Sequence, residues 1–214
     1  PLAQVFSMRT NLFSRSAETF FGTVPFLWRR TRALHRSGTG TLYPEHGSGI
    51  KEYLTEIPVI RNVLEANEKL SARLKEHFAR HGILTLNLIS SPGAGKTSLL
   101  ERTLADLSPE FRMAVIEGDL QTDNDAQRVA ATGAQAVQIN TEGGCHLDSN
   151  LVMEALGALD LSEIDILFIE NVGNLVCPVE FDCGEDAKIA LLSLPEGDDK
   201  PEKYPFLFNR ASAM

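Results

Sequence analysis

From residue 83 onward the chain alternates two patterns of hydrophobic and polar positions. The segments ILTLNLIS (83–90), RMAVIEG (112–118), AVQIN (136–140), DILFIEN (165–171) and KIALLSL (188–194) are apolar runs of strand length. Between them TSLLERTLADL (97–107), Thr122–Thr132 and Leu147–Leu159 read as amphipathic helices. Strands that are apolar throughout are covered on both faces, and a strand–helix alternation runs such strands in parallel. The expected fold class is therefore α/β, a mostly parallel sheet flanked by helices. No internal repeat interrupts it.

Upstream of this block, residues 50–81 predict one amphipathic helix. Ile57, Ile60, Leu64, Asn67, Leu74 and Phe78 fall on a three-to-four spacing, and Gly82 stands where the helix stops. Such a helix packs on its own domain or, with the polar Asn67 on its seam, forms a self-association surface. Residues 1–49 show no sustained period and end in SGTGTLYPEHGSG, so an atypical, disordered leader is expected there. The division is thus 1–49 leader, 50–81 helix and 82–214 α/β domain.

Charge sharpens this division. The 214 residues carry a net charge of −9, but residues 1–50 hold +4 and the remainder −13. An acidic body lacks the clustered Lys and Arg of a nucleic-acid groove. No apolar run reaches the roughly 18–20 residues that span a bilayer. Residues 7–40, rich in Arg and Ser, have the composition of a transit peptide, a weaker reading than a plain leader. Three cysteines form no disulfide framework, and a cytoplasmic location follows by default.

SSPGAGKTSLL (90–100) joins the first strand to the first helix. Gly95-Lys96-Thr97 fit the phosphate-loop pattern, although Ser90 stands where its first glycine belongs. The segment from Pro92 to Ser98, curled through Gly93, Ala94 and Gly95, is expected to cradle phosphates at the helix N-terminus with the backbone N–H groups that follow the proline. Lys96 is expected on the β- and γ-phosphates, and the Thr97 hydroxyl on Mg2+. Asp119 closes the second strand and Glu170 the apolar strand DILFIENVG, so both acids are candidates for the Mg2+ shell and for placing water. Gly173 can offer its N–H to a γ-phosphate. The expected catalytic set is Lys96, Thr97, Asp119 and Glu170.

GGCHLD (143–148) sets Cys145 beside His146 after two glycines, and Cys177 follows the Glu170 strand. Cys145 read alone is a buried small residue, a nucleophile or a metal ligand. Thiolate and imidazole suit Zn2+ and Ni2+, and three ligands leave the fourth to another source, for which a two-fold dimer is suited.

The blocks IEGDLQTDNDA, GGCHLD, LFIENVGNLVCP, FDCGE and EGDDKPEKYP, with SSPGAGKTSLL, closely resemble the hydrogenase nickel-incorporation GTPases, the HypB family. The resemblance runs from about residue 52 to about residue 208. It implies a P-loop NTPase fold of the SIMIBI-class G-domain type. It also implies GTP hydrolysis coupled to nickel delivery into the large subunit of [NiFe]-hydrogenase, alongside a small HypA-like nickel chaperone. GTP/GDP, Mg2+, Ni2+ and Zn2+ are the implied ligands. Cys145, His146 and Cys177 match the family's metal ligands at a homodimer interface that responds to nucleotide.

The chain departs from the family in four respects. Residues 1–50 hold no cysteine and only His35 and His46, so an N-terminal nickel store is not expected. That leader is itself unlike the family. Cys183 in FDCGE replaces a usual apolar residue, either as a buried small side chain or as an extra soft ligand. The chain also stops at LFNRASAM, before the Asn-Lys-x-Asp motif that reads guanine, so a C-terminally incomplete G domain is expected. The competing readings are an inert metal-binding relative without guanine specificity and a related enzyme such as the urease nickel GTPase.

Overall fold

The computed structural model describes residues 58–119 and 128–214, with the side chains of 58–61 and of Asp119 outside the description. The expected leader over 1–49, the first part of the expected 50–81 helix and most of the Thr122–Thr132 helix lie outside these residues. A helical turn is present at 128–130.

Five parallel strands form the sheet among the described residues, in the order β3-β2-β4-β1-β5. They are β1 (Leu84–Ser90), β2 (Met113–Asp119), β3 (Gln135–Asn140), β4 (Ile166–Glu170) and β5 (Ala187–Leu191). The helices, in chain order, are α1 (Pro58–His81), α2 (Lys96–Leu107), α3 (Ser149–Ala155), α4 (Cys177–Glu180), α5 (Lys200–Lys203) and α6 (Pro205–Arg210). Central β4 is buried along its whole length, which its continuous apolar sequence requires.

Side-chain alternation divides the core between the two faces of the sheet. Ala114, Ile116, Leu167 and Ile169 join Leu74 and Phe78 of α1 and Val152 of α3 on one face. Met113, Val115, Ile166 and Phe168 meet Leu100 and Leu104 of α2 on the other. A smaller cluster of Ile89, Leu175, Val179, Ala190 and Leu207 lies under the C-terminal helices.

Polar contacts tie α1 to the sheet. Asn67, 7% exposed, accepts from Ser149 N (2.9 Å) and donates to Asp182 O (2.9 Å). Its place is therefore inside the domain, which answers why a polar residue interrupts the apolar face of α1. Lys75 Nζ, about two helical turns later, donates to Glu185 O (3.2 Å).

Two expected elements end earlier than their apolar runs. The Leu147–Leu159 run forms only α3 and a 3-10 turn at Leu156–Ala158, because Asp148 caps Leu151 N and so sets the helix start. The last strand stops at Leu191 instead of 194. There Ser193 and Glu196 close a capping box with Pro195 in the first turn, and this starts a 3-10 turn at Leu194–Glu196.

Candidate functional site

Every strand of a parallel sheet ends on the same edge, and the loops at that edge carry the site. The turn between β1 and α2 passes through Gly93 at φ 74° and Gly95 at φ 96°. Both are left-handed conformations that a side chain disfavours. Ala94 N closes the turn onto Ser91 O at 3.3 Å. The result is a loop whose amides open into a cavity of about 380 Å³, lined by Pro92, Gly93, Gly95, Lys96, Thr97 and Ser98 from this segment.

Ser90, the departure from the phosphate-loop pattern, is accommodated because it is the last strand residue and fully buried. Its hydroxyl donates to Ser91 O (2.7 Å) and accepts from Lys96 Nζ (3.1 Å). The hydroxyl thus aims the lysine along the loop, a role a glycine cannot fill.

Opposite the loop stand two carboxylates. Glu117 and Glu170 are directly paired in the register of β2 and β4 and are 3% and 5% exposed. Thr97 Oγ1 donates to Glu170 Oε1 at 2.9 Å. A buried carboxylate is costly unless a donor or cation faces it. Two of them beside a hydroxyl form an all-oxygen donor set that suits Mg2+. Arg128, on the same cavity wall, donates to Glu101 Oε1 (2.9 Å) and reaches Ser98 Oγ (3.4 Å).

Gly173 also lines the cavity. A Cβ added there would lie 2.8 Å from Pro92 Cα, N and Cγ, so the loop after β4 rests directly on the phosphate loop. Ala94 sits within the turn and is not on the cavity wall. Asp119 is the last residue of β2, paired with Asn140, and its side chain lies outside the described residues. Glu117, two residues earlier, is the acid that faces the cavity. The sequence signal for it was present, since an acid inside an otherwise apolar strand must find a partner.

A second centre lies on the loops after β3 and β4. The ligand atoms of Cys145, His146 and Cys177 all fall within 4.8 Å of one another. Cys145 Sγ is 3.4 Å from His146 Nδ1. The ring of His146 stacks on Phe181 at 3.9 Å, which fixes its plane. Burial lowers the His146 pKa against the pull of Asp148, which favours the neutral, ligating imidazole. The Cys177 thiol is raised, first by its hydrogen bond with Cys145 and then by burial, while Asn174 Nδ2 approaches it at 3.7 Å and opposes the rise.

Cys183 does not belong to this group. It is fully buried, donates to Leu147 O at 3.3 Å, and is raised well above an ordinary thiol by burial and then by Glu185. It is the buried small residue, not an extra ligand. All three cysteines are free thiols.

The two centres are joined by a buried polar chain absent from the sequence reading. Asn171, fully buried, accepts from Leu147 N and from its own neighbour Val172 N, each at 3.0 Å. Its amide donates to Asn87 Oδ1 (3.2 Å), and Asn87 donates to Glu185 Oε1 (3.3 Å). Lys188 closes the chain on Glu185 and on Asp182 Oδ1 at 2.8 Å. Burial pulls the Lys188 pKa down, but the charge of Glu185 and hydrogen bonds to both acids outweigh it and the net shift is upward.

Comparison with known proteins identifies this arrangement. Residues 84–196 match the family model of the CobW/HypB/UreG nucleotide-binding domain. The chain is 52% identical over 158 residues to hydrogenase maturation factor HypB of Rhizobium leguminosarum bv. viciae, covering 74% of this chain and 53% of that protein. It is 54% identical over 153 residues to the factor of the same name from Escherichia coli K12, covering 72% and 53%. The chain thus spans about half the length of these curated relatives. A solved structure of HypB from Helicobacter pylori in complex with nickel superposes with a TM-score of 0.64 at 46% identity, covering 68% of this chain and 69% of that one. HypB from Archaeoglobus fulgidus superposes with a TM-score of 0.64 at 37% identity, covering 69% and 71%.

Proposed function

The chain belongs to the CobW/HypB/UreG family of nucleotide-binding P-loop domains, among the HypB proteins, and on that premise we propose that it is a GTP-hydrolysing nickel-handling factor for [NiFe]-hydrogenase maturation. The observation that carries this reading is the convergence of Cys145, His146 and Cys177 on the same sheet edge as the phosphate loop. In a protein related to a nickel-bound HypB, that cluster is the place for the cargo ion. Two thiolates and an imidazole take Ni2+ or Zn2+, with a fourth ligand from a second copy in a homodimer. Val176, an apolar neighbour of Cys177 that is 57% exposed, suits such a face.

The phosphate side works by positioning and electrostatics. Gly93 and Gly95 present backbone amides to the phosphates, and Lys96 moves from Ser90 Oγ to the β- and γ-phosphate oxygens. Thr97 and Glu170, with Asp119 at the end of β2 and Glu117 on the cavity wall, would hold Mg2+. The bound ion supplies charge neutralisation of the phosphate oxygens. Among the described residues no histidine lines the cavity, which fits a slow, switch-like hydrolase better than a fast enzyme. Gly173, seated on Pro92, is placed to sense the γ-phosphate, and nucleotide state is thereby coupled to nickel affinity.

Delivery of nickel to the hydrogenase large subunit, receipt from a HypA-like chaperone and work in the reducing cytoplasm complete the proposal. Among the described residues no helix is long and apolar enough to cross a membrane. The test is twofold. Ni2+ titration should give thiolate-to-nickel absorption that Cys145→Ser and Cys177→Ser each abolish. Phosphate release from GTP should be lost in Lys96→Ala. A protein that binds nickel as well as wild type after both cysteines are replaced would overturn the metal assignment, and undiminished hydrolysis in Lys96→Ala would overturn the nucleotide assignment.

A further inference from the structure

Asn171 is fully buried at the lining of the phosphate cavity and is not among the metal ligands. Yet its single oxygen receives two backbone N–H groups, Val172 N and Leu147 N, both at 3.0 Å. Val172 precedes Gly173, the glycine pressed on Pro92 of the phosphate loop. Leu147 follows His146, the imidazole of the metal cluster.

The other contacts of Asn171 hold it still. Its own N–H donates to Leu88 O of β1 at 3.0 Å, and its amide donates to Asn87 Oδ1 at 3.2 Å. Asn87 is in turn bonded to Glu185, whose second oxygen accepts from Cys183 N at 2.6 Å. Leu147 is confined as well. Its side chain covers Gly118, where a Cβ would meet it at 2.7 Å, and its carbonyl accepts from Cys183 Sγ. Behind Asn171 therefore stands a fixed, buried wall, and in front of it stand the two functional loops.

We propose that Asn171 is the positioning residue that transmits nucleotide state to the nickel ligands. This rests on the coupling of nucleotide and nickel proposed above and assigns the residue that carries it. When a γ-phosphate draws Gly173 and Val172 away from Pro92, the Val172 N–H shifts on Asn171 Oδ1. A buried N–H is costly to leave unpaired, so the oxygen and the Leu147 N–H that shares it readjust together. The readjustment turns the backbone at Leu147 and with it the adjacent His146, relative to Cys177 on the other loop. The metal cluster changes shape without direct contact between nickel and nucleotide.

The experiment measures Ni2+ affinity by calorimetry on protein loaded with GDP and with a non-hydrolysable GTP analogue, in wild type, Asn171→Leu and Asn171→Asp. The wild type is expected to show about a tenfold difference between the two states. Asn171→Leu removes the shared acceptor and should reduce the ratio to about one, with Ni2+ binding itself retained. Asn171→Asp keeps an acceptor for both amides and should restore the ratio to within about threefold of wild type, a rescue that a merely space-filling role does not give. Equal affinities in both states of the wild type overturn the coupling premise and the inference with it. A coupled wild type with an equally coupled Asn171→Leu overturns the inference alone. If Asn171→Leu does not fold, amide exchange at Leu147 in the wild type decides. Its protection should differ about tenfold between the two nucleotide states, and identical protection alongside differing nickel affinities overturns the assignment.

Discussion

Replacing Gly173 with alanine tests whether the loop after β4 is seated on the phosphate loop. Gly173 does not have the positive φ of Gly93 and Gly95, so space, and not backbone conformation, is what a side chain lacks there. The new Cβ would meet Pro92 Cα, N and Cγ at 2.8 Å. Carbon atoms in contact rest about 3.5–4.0 Å apart, so the two loops must separate by roughly 0.7–1.2 Å. Pro92 cannot yield by a side-chain rotation, because its ring and fixed φ are part of the backbone. A displacement of about 1 Å in a positioned site costs about 100-fold in rate, or about 2.7 kcal/mol of transition-state stabilisation. Gly157→Ala is the matched control, since a Cβ there meets nothing within 4 Å. The assay is phosphate release at saturating GTP, paired with thermal denaturation to confirm folding. Gly173→Ala should hydrolyse GTP about 100-fold more slowly and Gly157→Ala like wild type. A folded Gly173→Ala protein with hydrolysis within threefold of wild type would refute the seating of Gly173 on Pro92.

Three further outcomes follow from the same geometry. Leu74→Ala, at a fully buried position in the α1 core, should destabilise by about 2–5 kcal/mol in urea denaturation. Asn67→Ala leaves the buried Ser149 N–H and the Asp182 carbonyl without their partner, while the Ser149 hydroxyl keeps the backbone carbonyl of residue 67, so a loss of about 3 kcal/mol is expected, and an undisturbed midpoint would contradict its clamping role. Asp165 is held below its ordinary 3.8, first by the Arg112 side chain and then by the Arg112 N–H, against a partial burial that pushes it up. A carboxyl depressed in the folded state stabilises above its unfolded value and loses that contribution as pH falls through the folded one. Asp165→Asn should therefore lower Tm at pH 7 and match wild type near pH 2, and a difference that grows on acidification would reverse the assigned sign.

The parallel sheet was legible because its strands are mostly apolar runs, as β4 shows with five buried residues in a row. The phosphate loop was legible because glycine, lysine and threonine at that spacing have little other use between a strand and a helix. The metal cluster was readable only through the pairing of GGCHLD with NLVCP, since periodicity says nothing about which loops meet. Periodicity also overran the ends of α3 and β5, where Asp148 and Ser193 hydrogen-bond the backbone and set the boundaries locally. Glu117 joins Asp119 as a candidate acid of β2: a charge in an apolar strand signals a partner, but the register that puts Glu117 level with Glu170 exists only once β2 and β4 are paired.

Asn67, Asn87, Asn171, Glu185 and Lys188 were the hardest to read, and the reason is physical. A polar residue in a sequence normally signals solvent, and each of these is at most 8% exposed. They are tolerated inside because Asn171, Asn87, Glu185 and Lys188 bond one to the next and Asn67 bonds Ser149 and the Asp182 carbonyl, partners that meet only once the chain is folded. Their burial also has a consequence for specificity. An apolar core fills space equally well in several loop arrangements, whereas this polar chain is satisfied in one, with Leu147 N on Asn171 and Ser149 N on Asn67. Those two amides flank Asp148 in the segment that follows His146. The polar core thus holds the metal loop from behind at two points, and leaves the loop one direction in which to respond, through the oxygen it shares with the nucleotide side.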